Sequence, residues 1–226
     1  MFRINLYLDF FKYIKSFFLF RNKNYFEKKI SKILTSQSNK KYTIFTSQAR
    51  VGFLYILKFL KLQNKEKDEI IFNAYNLPEM VNVAKNLNYN VRFCDIDPKT
   101  ASMDEKQLSR LINKKTKAIV LTNMYNDLSH SKKIKSIAKK KNIVVIEDNA
   151  IYFDNFSMYK NKKYYSGSTG NFSIYSFNIM KNISAMYGGA VTTNNEKFKI
   201  FFNKENKNLK NFLYIKLINQ TLIFLI

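Results

Sequence analysis

The sequence has no tryptophan, one cysteine, one histidine, two prolines and five glycines in 226 residues. A single cysteine, Cys94, excludes an internal disulfide framework and fits a reducing compartment, so a cytoplasmic setting is expected. Cys94 follows an apolar run and reads as a small buried hydrophobe. One histidine and one cysteine make no metal cluster, and no Ser–His–Asp or Cys–His constellation stands out. His130 opens a basic stretch and reads as an exposed residue. The scarcity of glycine and proline argues against low-complexity linkers.

Acidic residues are few: 16 Asp and Glu against 39 Lys and Arg, a formal charge of +23. Such a charge suits a nucleic acid, a membrane surface or an anionic substrate. The lysines are spread along the chain, however. Their local runs, Lys132–Lys135 and Lys139–Lys141, read as a solvated helix face, and no nucleic-acid-binding signature is visible. A biased composition rich in Lys, Asn, Ile, Phe and Tyr explains the charge better than a nucleic-acid partner does.

Hydrophobic residues reach 46%, enough for a core that 21 Phe and 15 Tyr dominate. No internal repeat is visible. The N-terminal stretch Asn5–Phe20 carries Asp9, Lys12 and Lys15 and no small-residue cleavage site. It reads as an amphipathic helix on a partner or membrane surface, not as a signal peptide or a spanning helix. The apolar tail Phe212–Ile226 is broken by Lys216, Asn219 and Gln220 and is too short to span.

Between these ends strand and helix patterns alternate. Val51–Leu62 has helical apolar spacing, "EIIF" reads as a buried strand, and Pro78 opens a helix. "VRFCDID" is a strand, with Asp95 and Asp97 shaping the loop before Pro98. Ser102 and Glu105 form a capping box for a helix through Ile112. "KAIVLTNM" is a strand, Ser129–Lys141 a helix, and "NIVVIED", "NFSIYSF" and "GGAVTTN" are strand-like. This alternation predicts an α/β fold with a mostly parallel sheet and helices on both faces. Ligands then bind at the carboxyl ends of the strands. That rule selects Asp148, Tyr75–Leu77, Ser47–Arg50 and Ser176–Lys181.

Asp148 ends a buried apolar strand, where a carboxylate is costly unless paired. Its partner is either a structural Lys or Arg or a cationic ring nitrogen of a ligand. "TSQARVG" places Ser47, Gln48, Ala49 and Arg50 at a helix start, where free N–H groups, the dipole and an Arg make an anion site. Ser47 as a simple N-cap is the competing reading. Lys181 stands in an almost uncharged stretch, 33 positions after Asp148 (181 − 148). A lysine in an apolar turn after a strand is a candidate for Schiff-base formation with an aldehyde. Together the three reach as far as a phosphate-bearing aldehyde cofactor with a ring nitrogen.

The stretches "TSQARVGFLYIL", "DEIIFNAYNLPEM", "VRFCDIDPKT", "TKAIVLTNMYN", "VVIEDNA", "SGSTGNFSIYSFNIMKN" and "YGGAVTTN" occur in one order over roughly Phe45 to Asn195. On them the chain resembles the pyridoxal phosphate (PLP)-dependent sugar aminotransferases of the DegT/DnrJ/EryC1/StrS group, with the type I aminotransferase fold. The resemblance implies roles at the matching positions. Lys181 would hold pyridoxal 5'-phosphate as a Schiff base and shuttle the proton. Asp148 would keep the ring nitrogen protonated. Ala49 and Arg50, through backbone N–H groups, and Ser176, through its hydroxyl, would hold the phosphate. Leu77 matches the position of a stacking aromatic ring, with Tyr75 as an alternative.

Departures touch substrate handling: Ile151 stands where the family often has Gln or His, Asn126 for a common Gly and Asn171 for a common Asp. The related dehydratases carry His in place of the lysine, so Lys181 favours amino transfer. The resemblance implies a nucleotide-linked keto-sugar substrate, glutamate as amino donor, a role in surface polysaccharide synthesis and a homodimer. It also implies a small C-terminal domain beyond this chain. The expected division is an N-terminal helical segment over 1–40, a PLP-binding large domain over 41–200 and the start of an interdomain helix region over 201–226. Two alternatives remain: a cofactor-binding domain without turnover, or half of a split protein; and a basic membrane or nucleic-acid binder.

Overall fold

The computed structural model describes residues 11, 14, 23–124, 129–151, 156–159, 162–179, 181, 185 and 187–207. Apart from Phe11 and Ile14, the expected helix over Asn5–Phe20 lies outside them, as do Asn126 and the tail Phe212–Ile226. The chain divides into two compact units, Met1–Asn194 and Asn195–Ile226. Among the described residues no helix is long and apolar enough to cross a membrane.

The first unit opens with α1 (Lys23–Ser38) and β1 (Tyr42–Thr46), followed by α2 (Ala49–Gln63), β2 (Glu69–Asn73), α3 (Pro78–Asn86) and β3 (Asn90–Cys94). It continues through α4 (Glu105–Leu111), β4 (Thr116–Thr122), α5 (Ser129–Lys140) and β5 (Val144–Asp148). The hairpin strands β6 (Phe156–Tyr159) and β7 (Lys162–Tyr165) precede β8 (Phe172–Ser176) and β9 (Gly189–Thr193). Seven strands make one sheet in the order β1-β9-β8-β5-β4-β2-β3. The pairs β8/β5, β5/β4, β4/β2 and β2/β3 are parallel, and β9 runs antiparallel to both β8 and β1.

Every residue of β2, β4 and β9 is buried, as strands covered on both faces of a sheet require. Alternation sends Ile71, Ile119, Leu121 and Val145 against Leu108 of α4 and Ile134 and Ala138 of α5. Phe72 points the other way and meets Phe53 of α2 edge to face, centroids 6.0 Å apart. Leu34 of α1 packs with Tyr175, Phe177 and Ala190. Cys94 is fully buried, as the sequence suggests, and burial pushes its thiol up to about 11. In the second unit, α6 (Glu196–Lys207) begins with Asn195 Oδ1 accepting from the Phe198 N–H at 3.0 Å.

Three local expectations are corrected. The cap of α4 is Asp104, whose Oδ1 accepts from the Gln107 N–H at 2.6 Å. Ser102 instead lends its carbonyl to the Asp97 N–H at 2.8 Å, because the Asp97 turn consumes the residues before the helix. His130 is not exposed: its Nδ1 sits 2.8 Å from Glu105 Oε1, with the side chain 14% exposed. The basic face of α5 is not wholly solvated either. Lys132 and Lys135 are half-buried, and Lys132 Nζ lies 3.4 Å from the centre of the Tyr164 ring. Asp95 and Asp97 do shape their loop, accepting from the Ile96 and Lys99 N–H groups, both at 2.8 Å.

Candidate active site

The site is built where the register of the sheet aligns the strand ends. Thr122, Asp148 and Ile174 are cross-strand neighbours on β4, β5 and β8, and Ser176, Gly189 and Thr46 on β8, β9 and β1. Beyond this edge lies a cavity of about 330 Å³, within the size range of small-molecule sites. All seven residues to which the resemblance gives a cofactor role line it, with Gln48, whereas Ser47 does not. Ala49, Arg50, Tyr75, Leu77, Asp148, Ser176 and Lys181 share this one cavity, and the charge of Lys181 is felt at the Asp148 carboxyl.

Each position follows from local structure. α2 starts at Ala49, with Gln48 as its N-cap residue in an extended conformation and no side-chain cap bond. Ser47 is therefore not the cap. The Val51 and Gly52 N–H groups donate to the Gln48 carbonyl at 3.1 and 3.3 Å, which leaves the Ala49 and Arg50 amides for another acceptor, and Arg50 adds a cation there. Gly189 lets β9 run against this turn: a Cβ on it would stand 2.5 Å from the Ala49 nitrogen and 2.6 Å from the Gln48 carbonyl carbon. Gln48 and Gly188 also form an isolated parallel bridge. The glycine pair after the lysine loop thus holds the helix start close to the sheet.

Lys181 leaves β8 through a turn in which its N–H donates to the Asn178 carbonyl at 2.9 Å. The loop returns as the Ala185 N–H donates to Phe177 O at 2.8 Å and the Phe177 N–H to Gly188 O at 3.0 Å. Asp148 is buried and accepts from the Ala150 N–H at 2.9 Å. Burial pushes its carboxyl up to about 6, opposed by that N–H and by the positive charge of Lys181.

The sequence did not single out Thr122, Met124 or Met80, which also line the cavity, and gave no role of their own to Asn76 and Asn178, which line it from within the selected stretches. Asn76 Nδ2 donates to Thr122 Oγ1 at 2.8 Å, and its Oδ1 accepts from the Leu77 N–H at 2.7 Å. Asn76 thereby ties the turn bearing Tyr75 and Leu77 to the end of β4. Its place between two selected residues was the available signal. Ile151 and Tyr187 line the rim, and with Tyr75 and Leu77 each is at least 40% exposed.

The donor set can be tested against a ligand. It offers an uncapped helix start with an arginine, a buried carboxylate and a primary amine on one cavity. These match a phosphate, a protonated ring nitrogen and an aldehyde, and so fit a phosphorylated pyridine aldehyde.

Among curated proteins, the chain is 33% identical over 173 residues to GDP-perosamine synthase of Escherichia coli O157:H7, covering 76% of this chain and 46% of that one. Among solved structures it is similar to Helicobacter pylori PseC, an aminotransferase involved in the biosynthesis of pseudoaminic acid (TM-score 0.68, 23% identity, 76% of this chain and 45% of that one). It is also similar to the E. coli GDP-4-keto-6-deoxy-D-mannose-3-dehydratase with bound hydrated PLP (TM-score 0.72, 21% identity, 89% and 54%). These likenesses show the type I aminotransferase fold. The chain spans less than half the length of the curated relatives it matches. The model of the DegT/DnrJ/EryC1/StrS aminotransferase family matches residues 15–204, and the chain belongs to that family.

Proposed function

We propose that this chain is the cofactor-binding part of a PLP-dependent aminotransferase acting on a nucleotide-linked keto-sugar, with glutamate as amino donor, in cytoplasmic synthesis of a surface polysaccharide. The observation that carries the reading is the meeting of Lys181, Asp148 and the uncapped start of α2 on one cavity. Similarity to GDP-perosamine synthase supports the substrate class, and a homodimer is part of the proposal.

Bound pyridoxal phosphate supplies an aldehyde that condenses with amines and a ring that takes up the electrons of a broken Cα–H bond. The residues of the chain do the rest. Arg50, the amides at Ala49 and Arg50, and the Ser176 hydroxyl bind and orient the phosphate. Asp148 holds the proton on the ring nitrogen, and the charge of that ring favours the ionised carboxylate against its burial. Lys181 would hold the aldehyde through Nζ, and the same amine, when free, would hold and move a proton. Leu77, Tyr75, Met80 and Met124, which line the cavity, would bound the cofactor and exclude water from it.

A second reading, cofactor binding without turnover, is favoured by the exposed rim of Tyr75, Leu77, Ile151 and Tyr187. One titration separates the two. Pyridoxal phosphate added to the chain should give a protein-bound absorbance band that Lys181→Ala lacks. Glutamate should then bleach it in a transaminase and leave it unchanged in a bare binder. No band in folded wild-type protein would contradict both readings.

A further inference from the structure

We infer that Glu147, acting with Asn123 and Asn149, is a positioning residue for Asp148. Glu147 and Asp148 are adjacent on β5, so their side chains leave opposite faces of the sheet. Glu147 has no part in lining the cavity, is fully buried, and is a charge the reaction does not use. The inference rests on the cofactor site proposed above.

The carboxylate of Glu147 is held on every side. Oε1 accepts from the Gly167 N–H at 2.8 Å and from Asn123 Nδ2 at 2.9 Å. Oε2 accepts from the Thr169 N–H at 2.9 Å and the Gly170 N–H at 2.8 Å. Three backbone amides converging on one carboxylate form an anion nest made by the chain for its own side chain. Gly170 permits the approach: a Cβ there would lie 2.9 Å from Glu147 Cβ. Lys40, Lys132 and Lys135 add positive charge around the nest, and Lys40 Nζ donates to the Gly170 carbonyl.

The bonds run from this nest to both sides of Asp148. Asn123 Nδ2, besides holding Glu147, donates to Asn149 Oδ1 at 2.7 Å. The Asn123 N–H donates to the Asp148 carbonyl at 2.9 Å, and the Asn149 N–H to the Ile174 carbonyl at 2.9 Å. Asn149 Nδ2 donates back to the Glu147 carbonyl at 3.3 Å. The residues before and after Asp148 and its own carbonyl are therefore fixed by one buried polar network, and such networks rigidify when every member is satisfied. A structural staple would need only the loop bonds to Gly167, Thr169 and Gly170. The Asn123–Asn149 branch adds the link to the cavity floor.

The test is read on the cofactor-free full chain, so its failure is distinct from a failure of Lys181 to bind an aldehyde. Asp148 is labelled with ¹³C at its carboxyl, assigned by its absence in Asp148→Asn, and titrated. In the wild type its midpoint is expected near 6. In Glu147→Gln, and in Asn123→Ala, which keeps the Glu147 charge, water should reach the loosened carboxyl. The midpoint should fall by about one unit or more toward the ordinary value of about 3.9. Glu69→Gln is the control. Glu69 is likewise buried and accepts from Thr116 and Asn113, but sits at the opposite ends of β2 and β4. It should lower the melting temperature without moving the midpoint. If Glu147→Gln fails to fold, Asn123→Ala decides. An unmoved Asp148 midpoint in folded Asn123→Ala would overturn the inference.

Discussion

Gly189 and Ala49 approach so closely that a β-carbon on the glycine would sit 2.5 Å from the alanine nitrogen. The start of α2 is thereby pressed against the antiparallel strand β9. Gly189→Ala should force the two apart and destabilise the chain by about 2 kcal/mol, the usual scale of overpacking. Denaturant midpoints would register it. The same displacement should weaken binding of pyridoxal phosphate more than binding of unphosphorylated pyridoxal.

Asp148 gives a pH prediction. Its carboxyl titrates near 6 in the folded chain, against 3.8 ordinarily. Between those values the folded state binds the proton more tightly than the unfolded state. Stability of the cofactor-free protein therefore falls as pH rises from about 4 to about 6, and the loss is complete above that. Asp148→Asn removes this titrating group. It should stabilise the cofactor-free chain by about 3 kcal/mol at pH 7, with the gain vanishing below about pH 4. Melting curves across pH would show whether the gain is confined to the upper range.

The cap of α4 separates two residues that look alike in sequence. Asp104→Ala should cost about 1 kcal/mol, because the Gln107 N–H loses its acceptor. Ser102→Ala should cost clearly less, since only the Ser102 backbone is used in its turn. Equal losses in urea unfolding would restore the capping box.

Leu77 lines the cavity with an aliphatic side chain on an exposed turn. Leu77→Phe should tighten pyridoxal phosphate binding by about threefold to tenfold, the scale of an added ring contact. A fluorescence titration that shows no gain would place the ring contact at Tyr75 instead.

Much of the fold was legible because its signals are periodic. The runs in β2, β4 and β5 are too apolar for anything but buried strands, and α2 shows its apolar spacing plainly. Asp148 and Lys181 were legible as charges out of place, one ending an apolar strand and one alone in an uncharged stretch. Other features depend on contacts that spacing does not encode. Asp104 and Ser102 both precede α4, and only the path of the Asp97 turn decides between them. The β6–β7 hairpin, rich in Tyr and Lys, gave no clear alternation. Glu147 looked like part of the same strand end as Asp148, and its nest is assembled from Gly167, Thr169 and Gly170, some 20 residues on. Lys132 and Lys135 looked solvated because the groups that cover them come from elsewhere in the chain.

The most direct test of the site is to trap its central bond. The chain is mixed with pyridoxal phosphate, reduced with borohydride and digested, and the peptides are weighed. A pyridoxyl adduct confined to the peptide bearing Lys181, and absent from Lys181→Ala, is the expected result. Adducts scattered over surface lysines with none at Lys181 would contradict the assignment of Lys181 as the anchor.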